Sequence, residues 1–207
     1  MKRVYAGIQR FRSKVFPKQR KHFEALEAGQ KPELLLITCS DSRIDPALLT
    51  QTEPGELFVV RNAGNIVPPY GEGSGAEAAT VQFGIEVLGI RDIAVCGHSH
   101  CGAVAALRED GAADALPAVK SWIEIARPAL ARRVEVDGID DELTRTVGAN
   151  VLTQLDHLRT HPSVAKAEAR GELALHGWIY DFGRGEILVA DAQGRFGALD
   201  ARATAAA

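Results

Sequence analysis

The apolar residues of this chain fall into two periods. Leu34 to Ile37 is an unbroken apolar run bounded by Glu33 and Thr38. Such a run predicts a strand buried on both faces, over residues 33–38. Residues 56–61, with branched Val59 and Val60, predict a second strand, and Asp92 to Val95 a third. Leu173–Tyr180 and Glu186–Ala190 follow, joined by Asp181-Phe-Gly-Arg-Gly185. Strand, tight turn, strand implies an antiparallel pair. Between these runs the period changes to that of a helix. A long helix is predicted within 137–160, its buried stripe marked by Val147, Val151, Leu155 and Leu158. Arg145, Gln154, Arg159, His157 and His161 are assigned to its surface. Shorter helices are expected at about 76–88, 101–108 and 117–129, with a helical turn at 46–49.

At the start of the chain, Val4, Ile8, Phe11 and Val15 repeat at three- and four-residue spacing. Pro17 should interrupt this helix, and Phe23 and Leu26 continue a second one. From Gly194 the chain ends in Ala-Thr-Ala-Ala-Ala, read as a frayed tail. The pattern predicts an α/β fold. Its core is a mostly parallel sheet of about four strands plus an antiparallel edge strand, flanked by helices. An N-terminal helical arm, residues 1–29, precedes it, and the whole of 1–207 forms one domain.

Bulk properties narrow the possibilities. A net charge of -3 over 207 residues gives no reason to expect nucleic acid as a partner. No apolar stretch approaches the ~20 residues of a membrane helix. Three cysteines do not make a disulfide framework, and they suit a reducing, cytoplasmic setting. The basic N-terminus lacks the apolar segment of a secretory leader, so a solvated basic face is the better reading.

The candidate chemistry lies where strands end. His98 and Cys101 fall on the turn between the third strand and the next helix, and Cys39 falls just past the first strand. Ligands in open α/β sheets bind at the carboxyl ends of strands. Adjacent parallel strands would bring the three together, and two Cys plus one His with an open position is a catalytic zinc arrangement. Cys96 is read as a buried core cysteine. His100 is either a proton carrier or a turn residue facing solvent. The Gly-rich stretch 70–75 lacks the Lys-Ser/Thr ending of a phosphate-binding loop. Cys39 and Arg43 stand too close for a phosphatase Cys-x5-Arg loop.

Cys39-Ser-Asp-Ser-Arg43 followed by Gly97-His-Ser-His-Cys-Gly102 resembles the β-class carbonic anhydrases. Glu53 to Pro69 and His176-Gly-Trp-Ile-Tyr-Asp181 extend the likeness from about Gly7 to about Ile187. The look is closest to the plant, cyanobacterial and cyanate-operon-type bacterial branch. The resemblance implies reversible hydration of carbon dioxide to bicarbonate, with one zinc per chain on Cys39, His98 and Cys101. It makes Asp41 and Arg43 the catalytic dyad and places Gln30, Phe58, Ala63 and Phe83 around the substrate. The backbone N–H of Gly102 is a further candidate donor. Phe83 departs from the Tyr usual in relatives. Gln30 and Phe83 are expected to face a partner's zinc in a homodimer or higher even oligomer, with the arm packed across the second subunit. One branch carries an allosteric bicarbonate pocket of Trp, Arg and Tyr; Arg61 and Tyr180 match it, but Leu36 stands at the Trp position. The rival of a different class is a zinc-bearing interaction protein without turnover, and a minor one is hydrolysis of carbon disulfide.

Overall fold

The computed structural model describes residues 1–71 and 75–199, in two compact units, residues 1–31 and the remainder from Pro32. The larger unit is built on a six-stranded sheet. β1 (Leu34–Cys39), β2 (Leu57–Asn62), β3 (Asp92–His98) and β4 (Ala174–Asp181) are mutually parallel, β5 (Glu186–Ala190) pairs antiparallel with β4, and β6 (Phe196–Ala198) pairs antiparallel with β5. The order is β2-β1-β3-β4-β5-β6. The chain leaves β1 to one side for β2, then returns to its other side for β3. The strand order therefore reverses at β1, and in open sheets the ligand crevice lies at such a point.

β6 corrects the expected frayed tail. Phe196 is fully buried, and its backbone pairs with β5 on one side and Val136 on the other. A large apolar anchor outweighs the small residues around it. The edge strand is consequently β6, not β5. Residues 200–207 lie outside the described residues, as do 72–74, the centre of the Gly-rich stretch.

The flanking helices are α3 (Pro46–Thr50), α4 (Ala76–Glu86), α5 (Gly102–Arg108), α6 (Pro117–Glu124), α7 (Glu142–Arg159) and α8 (Pro162–Ala169). α8 has no counterpart in the sequence pattern, being short and low in large apolar residues. α7 begins at Asp141, whose carboxylate accepts from the Thr144 N–H at 2.8 Å and its hydroxyl at 2.6 Å. This satisfies an otherwise orphaned helix-end donor.

α7 packs against β3 and β4. A Cβ on Gly97 would lie 2.6 Å from Val147 Cγ1 and 2.9 Å from Val151 Cγ2, so glycine permits the close approach. The same face of α7 holds two residues assigned above to the surface or overlooked. Gln154 and Asn150 are both fully buried. His161 is buried as well and His157 half-buried. Both bond backbone carbonyls, His157 Nδ1 to Val67 O at 2.8 Å and His161 Nε2 to Pro68 O at 3.0 Å. Spacing alone could not reveal these partners, which lie some ninety residues earlier in the chain.

The smaller unit is helical. α1 (Lys2–Arg10) passes through a π-helical segment, Phe11–Val15, into α2 (Phe16–Glu27). Pro17 falls within the first turn of α2, where its missing N–H costs little, so it does not end the helical run. Phe11, Phe16 and Phe23 form a ring cluster, with centroids 5.4–6.3 Å apart.

Candidate metal centre

β1 ends at Cys39, β3 ends at His98, and Cys101 stands immediately before α5. The Sγ atoms of Cys39 and Cys101 and a ring nitrogen of His98 all lie within 4.8 Å of one another. All three residues are buried. Cys96 is not in this group. It sits with Leu36 and Ala94 in a separate apolar cluster, where burial pushes its thiol up to about 12.

The His98 ring is fixed for ligation. Its Nδ1 lies 2.8 Å from Ser99 O. A carbonyl oxygen can only accept, so Nδ1 carries the proton and Nε2 presents a lone pair. That buried Nε2 has no hydrogen-bond partner. A buried acceptor left unpaired is costly, and a metal ion satisfies it. The thiols fit the same reading. A hydrogen bond from Cys101 pulls the Cys39 thiol below its usual value, helped by the Gly64 N–H. The same contact, with burial, pushes Cys101 up. Two thiols sharing one proton titrate as a pair, and a cation can displace that proton.

The loop after β1 brings the dyad to this group. Arg43 grips Asp41 with both arms of its fork, Nε to Oδ1 at 2.9 Å and Nη2 to Oδ2 at 2.7 Å. The Arg43 backbone N–H also donates to Oδ1, at 2.9 Å. These bonds hold the Asp41 carboxyl well below the usual carboxylate range. Its Oδ2 lies 3.9 Å from His98 Nε2. Arg61 braces the loop from β2, donating to Cys39 O at 3.0 Å and Asp41 O at 2.8 Å. Leu36 lies in the Cys96 cluster and Tyr180 packs against it.

Phe182 escaped the sequence reading. Its ring centroid is 5.1 Å from that of His98, and Arg43 Cζ lies 4.6 Å from the same ring. Its backbone N–H donates to Ser99 Oγ at 3.0 Å. Phe182 follows the end of β4, beside β3 in the sheet, which is the signal that could have found it. His100 is exposed with φ +56°, and its carbonyl accepts from Arg43 at 3.2 Å.

The expected substrate residues divide. Ala63 adjoins Gly64, whose N–H points at Cys39 Sγ at 3.3 Å, and Gly102 directly follows Cys101. Phe58 and Phe83 touch each other, centroids 6.1 Å apart. Phe58 pairs with Leu35, four residues below the Cys39–Asn62 level. That is about 13 Å along the strands. Within one chain this pair therefore does not join the Cys39 group. Gln30 is exposed and belongs to the N-terminal unit.

The carbonic anhydrase family profile matches residues 34–187. The chain belongs to the β-class carbonic anhydrase family. It is 46% identical over 197 residues to a carbonic anhydrase of Pseudomonas aeruginosa, covering 94% of this chain and 90% of that one. Its structure is similar to that of the β-carbonic anhydrase CcaA, with a TM-score of 0.88 and 42% identity over 96% of this chain and 99% of that one. It is also similar to one of two tetrameric β-carbonic anhydrases from Sordaria macrospora, with a TM-score of 0.64 and 30% identity over 91% and 92% of the two chains. Family membership makes the chain an enzyme, and its buried Cys39-His98-Cys101 group could hold a metal ion. Among the described residues, no helix is long and apolar enough to cross a membrane.

Proposed function

We propose that the protein catalyses the reversible hydration of carbon dioxide to bicarbonate and a proton, with one zinc ion per chain on Cys39, His98 and Cys101. The observation that carries the reading is the unpartnered Nε2 of buried His98, set among two thiols and 3.9 Å from a clamped carboxylate. When bound, zinc lowers the pKa of a coordinated water, an effect best known from the three-histidine carbonic anhydrases.

The chain's own residues then do the following. Ser99 O holds the His98 tautomer. Arg43 keeps Asp41 ionised and turned toward the group. An ionised carboxylate only accepts hydrogen bonds. Asp41 thus selects a nucleophile that still carries a hydrogen, and leaves its lone pair facing carbon dioxide. Phe182 packs its ring against both His98 and the Arg43 guanidinium and so helps to orient them. Ala63 and Gly102 border the substrate position. Gln30, Phe58 and Phe83 serve the centre of a partner chain in a homodimer or higher even oligomer, joined by the 1–29 arm as part of one functional domain. The tetrameric relative and the Phe58–Phe83 separation from Cys39 support this. The closed Asp41–Arg43 pair and Leu36 at the Trp position support a site without the allosteric switch. The three cysteines are free thiols, in keeping with a cytoplasmic enzyme.

Stopped-flow hydration beside zinc analysis tests the reading. Cys39→Ser, His98→Ala and Cys101→Ser should each lose most zinc and activity, while Cys96→Ser keeps both. Near-full zinc in purified Cys39→Ser would sink the ligand assignment.

A further inference from the structure

We propose that Asn150 is a positioning residue for the metal centre, acting through the Gly64 turn on the Cys39 sulfur. The inference rests on the assignment of Cys39 as a metal ligand. A buried chain of bonds links α7 to that thiol. The Val67 N–H donates to Gln154 Oε1 at 2.8 Å, and Gln154 Nε2 donates to Asn150 Oδ1 at 2.7 Å. Asn150 Nδ2 then donates to Gly64 O at 2.9 Å, and the Gly64 N–H to Cys39 Sγ at 3.3 Å.

The direction of this chain is fixed. Gln154 Oε1 must accept from a backbone N–H, so its NH2 faces Asn150. The Asn150 oxygen must accept from that NH2, so its own NH2 faces Gly64. Neither amide can flip without losing two bonds. Both side chains are fully buried, on the stripe that Val147, Val151 and Leu158 otherwise fill with hydrocarbon. Apolar residues would serve packing better, because a buried amide costs free energy unless every bond is made.

What the amides hold is the middle of a tight turn, whose two ends the Asn62 side chain ties together through the Ile66 N–H and carbonyl, both at 2.8 Å. Gly64 has φ +76° and ψ 17°, and a Cβ there would meet Ala103 Cβ at 3.0 Å. Trp122 Nε1 clamps the carbonyl before it, Ala63 O, at 2.8 Å. With both carbonyls pinned, the N–H between them is aimed at Cys39. An N–H donor on a thiolate withdraws charge from sulfur, so Cys39 passes less of it to the ion. With two thiolates in the ligand set, that restraint keeps the centre electrophilic. Partners of ligands typically change metal affinity or activity by about 10- to 100-fold.

The test uses cobalt-substituted protein, whose thiolate-to-metal charge-transfer band reports sulfur donation. Asn150→Ala should move that band to lower energy because the sulfur regains charge and, because the turn beside Cys39 is left loose, speed zinc loss to a chelator by about tenfold. Gln154→Met, which keeps the bulk of the side chain, should shift both in the same direction by less, and it stands in if Asn150→Ala does not fold. Leu158→Ala supplies a destabilised control on the same helix and should leave the band in place. Wild-type band energy and zinc-loss rate in folded Asn150→Ala and Gln154→Met would overturn the inference, as would an equal shift in Leu158→Ala. Failure of the ligand assignment reads differently: cobalt-loaded wild-type protein would then give no thiolate band at all.

Discussion

Asp41 offers the sharpest separation of chemistry from folding, because its side chain is held by Arg43 rather than by the core. Arg43 is half exposed, so the pair adds little stability as a surface ion pair. Asp41→Asn keeps the shape but is neutral, and its NH2 can donate where only acceptance is wanted. It should keep zinc and thermal stability yet lose roughly 100- to 1,000-fold in hydration rate, the usual cost of one aimed contact in a preorganised site. Arg43→Ala should do similar harm, and the double variant should be far from additive, since the two act as one unit. Stopped-flow rates on zinc-replete protein check this; near-wild-type turnover in Asp41→Asn would leave the dyad with no part in the chemistry. The residues of this site were unequally legible. Cys39, His98 and Cys101 were readable because each sits at or just past a strand end, and Asp41 and Arg43 through the family resemblance of the loop that carries them. Asn150 and Gln154 were not, because they reach the site through the fold, and Phe182 was passed over although it too follows a strand end, that of β4. Gln154 and Asn150 carried one usable signal: polar side chains at stripe positions beside Val147 and Val151.

Among the elements, α7 does most to set the site, and two substitutions probe how. Its N-cap is Asp141, whose carboxyl is drawn down by the Thr144 hydroxyl and N–H. Asp141→Ala should cost about 1 kcal/mol at neutral pH. A carboxyl lowered in the folded state contributes stability above its unfolded pKa and loses it as pH falls through the folded value. The gap between wild type and Asp141→Ala should therefore be full at pH 7, begin to narrow near pH ~4, and close only below the lowered value. Denaturant midpoints across pH measure it; a gap that did not narrow would mean that the charge is not involved. Gly97 tests the contact of α7 with β3. Gly97→Ala forces Val147 and Val151 aside and should cost about 1–3 kcal/mol. Adding Val147→Ala should recover part of that, and no recovery would place the strain elsewhere. The strands themselves were largely legible, since unbroken apolar runs mark doubly covered strands. β6 was missed because three residues carry no period, and α8 because its buried face is Ser163, Val164 and Ala167, too small to register as a stripe.

For the whole molecule, the question is what covers the N-terminal arm. In the single chain Val4, Tyr5 and Ile8 are each more than half exposed, and Phe11 and Val15 only slightly less. A row of large apolar residues left in water points to association. Charge points the same way. Residues 1–31 hold nine Lys and Arg against two Glu, leaving fifteen basic against twenty-five acidic residues in the rest of the chain. A basic arm with an apolar face suits an acidic body, and in a two-fold dimer each arm makes its contact twice over. We therefore expect light scattering to give at least a dimer at micromolar concentration. Ile8→Glu or Phe11→Glu should each forfeit about 1–2 kcal/mol per arm by removing a partly buried apolar side chain. Counted on both arms, that is roughly a 30- to 1,000-fold weaker dimer. If Phe58, Phe83 and Gln30 serve the partner's centre, activity should fall with dissociation while zinc content stays full. A single-chain mass with full activity would remove both the dimer and the shared site; a dissociated variant with full activity would keep the dimer and remove only the sharing.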